Sequence, residues 1–153
     1  MKTTTQKADV STDRPRSVTV LGGIDITYRA VDEDTEGVYS LFEITIPPGQ
    51  GPPTHVHLRE DESFYVLDGA FDIHIGEQSF TATRGWFGFG PRHVPHGFKA
   101  VGTSPGKMLM IVSPAGFERF FDELAELTAA PPFDFDRVRA LFERYGMQIV
   151  EPK

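Results

Sequence analysis

A chain of 153 residues with 39% hydrophobic and 24% charged side chains has room for one packed domain, which argues against a multidomain enzyme and against wholesale disorder. Fifteen basic against 22 acidic residues give a formal charge of −7, which repels a phosphate backbone and removes nucleic acid as a partner. With no cysteine there are no disulfides, thiolate metal sites, iron–sulfur clusters or thiol nucleophile, so any metal must be held by nitrogen and oxygen.

Residues 1–16 are polar and mixed in charge, without the apolar core of a secretory leader, and no later apolar run reaches the roughly 18 residues that cross a bilayer. The expectation is a flexible N-terminal segment on a cytoplasmic protein with no membrane partner. From residue 17 the pattern turns to short apolar runs. Nineteen of the 27 glycines and prolines fall between Pro47 and Gly116, the punctuation of an all-β sandwich or barrel spanning 17–113. Strands are expected over 17–21, 24–29, 38–46, 62–67, 70–75, 79–83, 86–89, 96–101 and 107–113. Gly22-Gly23, Asp68-Gly69 and Gly76-Glu77 read as tight hairpins, because their glycines supply the positive φ of primed turns.

Beyond Pro114, Phe117, Phe120, Phe121, Leu124 and Leu127 recur at helical spacing. After Pro131-Pro132 a second stripe of Phe135, Val138, Leu141, Phe142 and Tyr145 begins at Asp134 as N-cap and stops at Gly146. Residues 114–153 are therefore expected as a helical extension packed on the barrel or on a second subunit.

The histidines are His55, His57, His74, His93 and His96. In His55-Val56-His57 an extended backbone sends both imidazoles to one face, since strand side chains alternate with period two. Glu62 follows. If Asp68-Gly69 closes a hairpin, Glu62 opposes Ile75 and shares an inward face with Phe64, Val66, Phe71 and Ile73, where a carboxylate is costly to bury without a compensating cation or hydrogen bonds. The same register pairs His74 with Ser63 on the outer face and excludes it as a ligand. His96 opens a strand on the face of Phe98, while His93 precedes Pro95 in a loop at the mouth of the cavity. Either Met108 and Met110 or Leu109 and Ile111 complete the inner face, and this pattern leaves both choices open.

These spacings, Gly49-x5-His55-x-His57-x4-Glu62-x6-Gly69 and Gly85-x5-Pro91-x-His93-x2-His96, resemble the two motifs of the cupins over about 39–113. Two positions depart: His93 and Ala100 stand where the family usually has glycine and asparagine. The resemblance implies a double-stranded β-helix, a small jelly-roll barrel of two antiparallel sheets, followed here by two C-terminal helices. It implies that His55, His57, Glu62 and His96 hold one divalent ion (Fe, Ni, Mn, Co or Zn), with no nucleotide or flavin. It also implies a homodimer, since small cupins commonly pair through sheet edges and terminal segments.

The run Arg-Glu-Asp-Glu-Ser-Phe-Tyr-Val-Leu-Asp-Gly at 59–69 and the segment from Pro91 to Lys99 further resemble bacterial cupins similar to quercetin dioxygenases. That likeness implies an oxidoreductase, a dioxygenase cleaving a flavonol-like or other enolic aromatic substrate with O2. Glu62 would take the enol proton, His93 would contact the substrate, and Phe64, Val66, Phe71, Ile73, Phe98, Met108 and Met110 would line the pocket. Two alternatives stand beside it: a non-redox metal cupin such as a polyketide cyclase or isomerase, in which His93 or Glu62 moves protons, and a small-molecule binding module without catalysis.

Overall fold

A computed structural model describes residues 16–151. Residues 1–15, which make up nearly all of the segment expected to be flexible, lie outside the described residues. In chain order the elements are β1 (Ser17–Val20), β2 (Ile24–Ala30), α1 (Asp32–Thr35), β3 (Ser40–Ile46), β4 (His55–His57), β5 (Asp61–Asp68) and β6 (Ala70–Ile75). They continue with β7 (Gln78–Thr83), β8 (Phe87–Gly90), β9 (His96–Val101), β10 (Gly106–Ser113), α2 (Glu118–Leu127), α3 (Phe135–Arg144) and β11 (Met147–Ile149). The strands form two antiparallel sheets, ordered β1-β2-β3-β10-β5-β8 and β11-β4-β9-β6-β7. Among the described residues, no helix is long and apolar enough to cross a membrane.

Period-two alternation builds the interior. Ser40, Phe42, Ile44 and Ile46 of β3 are buried while the residues between them are not, and β10 buries Met108, Met110 and Val112. The choice left open for β10 falls to the methionines, because Leu109 and Ile111 point outward. Phe42, Phe64 and Phe71 are fully enclosed, each stabilising the fold by roughly 1.5–3 kcal/mol relative to an exposed side chain.

The expected β5–β6 hairpin is not formed. β5 pairs with β10 and β8, β6 pairs with β7 and β9, and Asp68-Gly69 carries the chain from one sheet to the other. Gly69 makes that crossing with a φ of 76°, pressed so near Pro105 and Gly106 that a Cβ would lie 2.9 Å from backbone atoms. Glu62 therefore faces Val112 and Gly90 as cross-strand neighbours and not Ile75, while His74 faces Ser79 and Gly97. The facings survive the error because alternation along each strand does not depend on its partner. The first hairpin also differs slightly: Val20 pairs with Ile24 around a three-residue turn, Leu21 to Gly23. Gly76-Glu77 joins Ile75 to Gln78 as a two-residue loop.

The segment after residue 113 does more than add helices. α2 and α3 lay their aromatic faces on this chain's own barrel, with the Phe121 ring 4.9 Å from that of Phe42 and Phe142 5.8 Å from His55, and they meet each other at Phe120 and Phe142, 5.0 Å apart. The Asp134 side chain caps α3 by accepting from the backbone N–H groups of Asp136 and Arg137. Buried Glu118 ties α2 down, its carboxylate accepting from Ser40 Oγ at 2.7 Å and from the Asp32 N–H at 2.9 Å. β11 then returns to pair with β4, setting Met147 opposite His57 and Ile149 opposite His55. Neither β11 nor the single turn α1 was expected from the sequence.

Candidate metal centre

The two sheets contribute unequally to one buried cluster. His55 and His57 come from β4 and His96 from the neighbouring β9, where His55 and His96 are direct cross-strand partners. Glu62 comes from β5 in the opposite sheet. One donor atom from each of the four residues lies within 4.8 Å of all the others, and all four side chains are buried. Glu62 Oε2 stands 3.0 Å from His57 Nε2 and 2.7 Å from His96 Nε2. None of these three atoms has a partner in hydrogen-bonding geometry. Buried polar atoms left unpaired are costly, and donors converging on one point fit a single divalent ion that bonds to all of them.

Groups behind the donors fix which nitrogen faces inward. His55 Nδ1 donates to the Pro53 carbonyl at 2.8 Å, and His57 Nδ1 to the Glu60 carboxylate at 3.1 Å. Each leaves Nε2 for the centre, the arrangement by which outer partners orient ligand imidazoles. Glu60 was not singled out from the sequence, although its position three residues after His57 was a usable signal. His74 lies on the far face with Nε2 2.9 Å from Thr54 Oγ1, apart from the cluster.

Burial drives His55 down to about 3, with His96 adding to the effect. Burial also pulls His57 down, but the Glu62 and Glu60 carboxylates outweigh it and raise this imidazole to about 9. For Glu62 burial acts upward, yet His96 and His57 hold its carboxyl far below the usual carboxylate range. A buried carboxylate needs a compensating cation. A proton on His57 or a metal ion at the convergent donors supplies one.

A hollow of about 50 Å³ lies beside the cluster, and His55 and Glu62 reach its wall. Among the described residues every other side chain on that wall is apolar, several of them from the C-terminal helices: Phe117, Phe120, Phe121, Leu124 and Phe142. The Phe117 ring lies 5.2 Å from that of His57, and Phe142 5.8 Å from that of His55. Of the side chains expected to line a pocket, Phe98 and Met110 stand on this wall. Phe64 packs against the cluster, its ring 5.4 Å from that of His96, and Val66, Phe71, Ile73 and Met108 fill the barrel, each at most 1% exposed.

His93 also stands off the wall. Its side chain is exposed, and its backbone N–H donates to the His57 carbonyl at 2.7 Å. Its φ of 70° accounts for the usual glycine at this position, since the left-handed region costs a side-chain-bearing residue roughly 1–2 kcal/mol. Next to it, Arg92 clamps the loop to the start of β5, donating through its backbone N–H to Asp61 at 2.9 Å and through Nε at 3.2 Å.

Residues 42–112, just under half of the chain, match the family model of the cupin domain. The chain's fold is similar to that of an RmlC-like cupin from Shewanella frigidimarina, with a TM-score of 0.63 and 21% identity over 74% of this chain and 98% of that one. It is similar also to KdgF from Halomonas sp., at 0.61 and 21% identity over 68% of this chain and 90% of that one. The polyketide cyclase RemF from Streptomyces resistomycificus gives 0.61 and 19% identity, over 70% and 79% respectively. Likeness at these identities shows the fold. No curated protein matches the sequence.

Proposed function

We propose that this chain is a metal-dependent dioxygenase acting on a flavonol-like or other enolic aromatic substrate that chelates at the His55, His57, Glu62 and His96 centre. The observation that carries this reading is the convergence of unpaired His57 Nε2, His96 Nε2 and Glu62 Oε2 beside an apolar hollow. An iron, nickel, manganese, cobalt or zinc ion held there supplies Lewis acidity toward an enolate oxygen and, where the ion is redox-active, a path for O2 chemistry.

The chain's own residues do the rest. Glu62, on the hollow's wall, takes the enol proton as it loosens its hold on the ion. Phe98, Met110, Phe117 and Phe142 keep water from the activated ring.

Elemental analysis of the protein as purified, followed by an oxygen electrode with a panel of enolic aromatics, tests the reading. O2 uptake with ring cleavage is expected. Anaerobic turnover of a flavonol, or no O2 uptake with any enolic aromatic by the metal-loaded protein, overturns it.

The proposal extends to a homodimer. β8 is the edge strand of the six-stranded sheet and turns Phe87 (60% exposed) and Phe89 (51%) outward beside Tyr65 (43%). A free edge flanked by exposed aromatic rings favours covering by a second copy.

A further inference from the structure

A hollow of about 50 Å³ is far smaller than the roughly 300–1,000 Å³ of sites that enclose ring-bearing ligands. It admits the chelating head of such a ligand and not its body. A surface groove of about 530 Å³ runs alongside and shares four wall residues with the hollow: Leu21, Ile24, Pro52 and Phe98. The groove lies between the β1–β2 turn, the Gly49–Pro53 loop and the start of α3. Its outer wall is aromatic, built by Phe133 and by Phe135, which is 64% exposed. The polar side chains on it are Gln50 and Lys99.

We propose that this groove is the outer half of a single ligand site and takes the planar aromatic body of a ligand whose oxygen head reaches the metal centre. The inference rests on the enolic-substrate reading above and adds where the remainder of the molecule goes. Phe133 and Phe135 stack against the rings. Lys99 faces an ionised phenol or carboxylate on the distal ring, and Gln50 offers both a donor and an acceptor beside it. Leu21, Ile24, Pro52 and Phe98 form the partition through which head and body join, so their size sets which ring systems pass.

Binding is measured by titration calorimetry on the metal-loaded and metal-free full chain. The probes are 3-hydroxyflavone, a flavonol hydroxylated on its distal ring, and maltol, which carries a similar hydroxy-ketone head without the extra rings. Phe135→Ala is expected to weaken 3-hydroxyflavone about ten-fold, equivalent to about 1.4 kcal/mol, in both forms of the protein, and to leave maltol unchanged. Lys99→Ala is expected to weaken only the distally hydroxylated flavonol. Both side chains lie at the surface, so the variants retain the core.

Wild-type affinity for the flavonols in both variants overturns the groove, as does equal weakening of maltol. Groove-dependent binding without O2 uptake removes the dioxygenase reading and leaves the site standing. O2 uptake with flavonols that is indifferent to both variants removes the groove alone.

Discussion

Gly90 lies opposite Glu62 in the β5–β8 pair, and a Cβ on it would stand 3.2 Å from Nδ1 of His96. One ligand therefore pairs with this glycine across the sheet while another leans over it. Gly90→Ala is expected to push the His96 ring out of line and to lower metal affinity about ten-fold, the lower end of what orienting groups contribute. Competition with a fluorescent chelator measures the affinity, and circular dichroism checks that the fold is kept. Unchanged affinity would show that the ring has room to yield.

Glu60 holds His57 from behind and shares in raising its proton affinity. Glu60→Gln keeps an acceptor of the same shape and removes the charge. Metal affinity is expected to fall about ten-fold, and the NMR titration of the His57 ring in the metal-free protein should move down from about 9. A titration left in place would mean that Glu62 alone sets it.

With His57 raised to about 9, metal-free protein at pH 7–8 carries a proton there, and a metal ion must displace it. Calorimetry in buffers of different ionisation enthalpy should record about one proton released per ion near pH 7.5, vanishing as pH rises past about 9. The sign for stability follows. A folded value above the ordinary 6.5 contributes fully below 6.5 and is lost as pH rises through about 9. Glu62, held low, contributes above its ordinary 4.5 and loses that as pH falls, and His55, driven down to about 3, destabilises the fold as pH drops below 6.5. Metal-free protein should therefore lose stability in both acid and alkali. A melting temperature flat from pH 4 to 10 would contradict the assignment.

His93 occupies a left-handed backbone position on an exposed loop. His93→Gly is expected to raise unfolding free energy by about 1 kcal/mol in urea titrations, with metal content unchanged. A loss of metal would give this side chain a part in the site.

Exposed Phe89 on the β8 edge reports on self-association. Sedimentation velocity should give a dimer for the wild type and a monomer for Phe89→Glu. A monomeric wild type at micromolar concentration would remove the dimer.

The clustering of the four residues was legible because it rests on two local regularities, the alternation in His55-Val56-His57 and the fixed spacings to Glu62 and His96. Strand pairing was not. Asp68-Gly69 has the composition of a hairpin turn, yet the same residues serve a crossing between sheets, and only the partners of β5 and β6 distinguish the two. β11 escaped because Met147-Gln148-Ile149 is too short to display a period, and its partner lies far upstream. Alternation also tells that Phe64 and Phe98 face inward, but not how deep each sits along the barrel. That is why Phe98 borders the hollow while Phe64 packs against His96, and why residues of α2 supply walls that strand patterns could not name.

β4 is three residues long, and each of its edges is taken by another strand, β9 on one side and β11 on the other. During synthesis His55 and His57 emerge early, but the strand that holds them in line comes from residues translated after both helices. The order of synthesis thus places β11, which pairs along the whole of β4, last among the strands that frame these two histidines. A nascent chain stalled before Met147 carries all four donors and still lacks the frame that aims them.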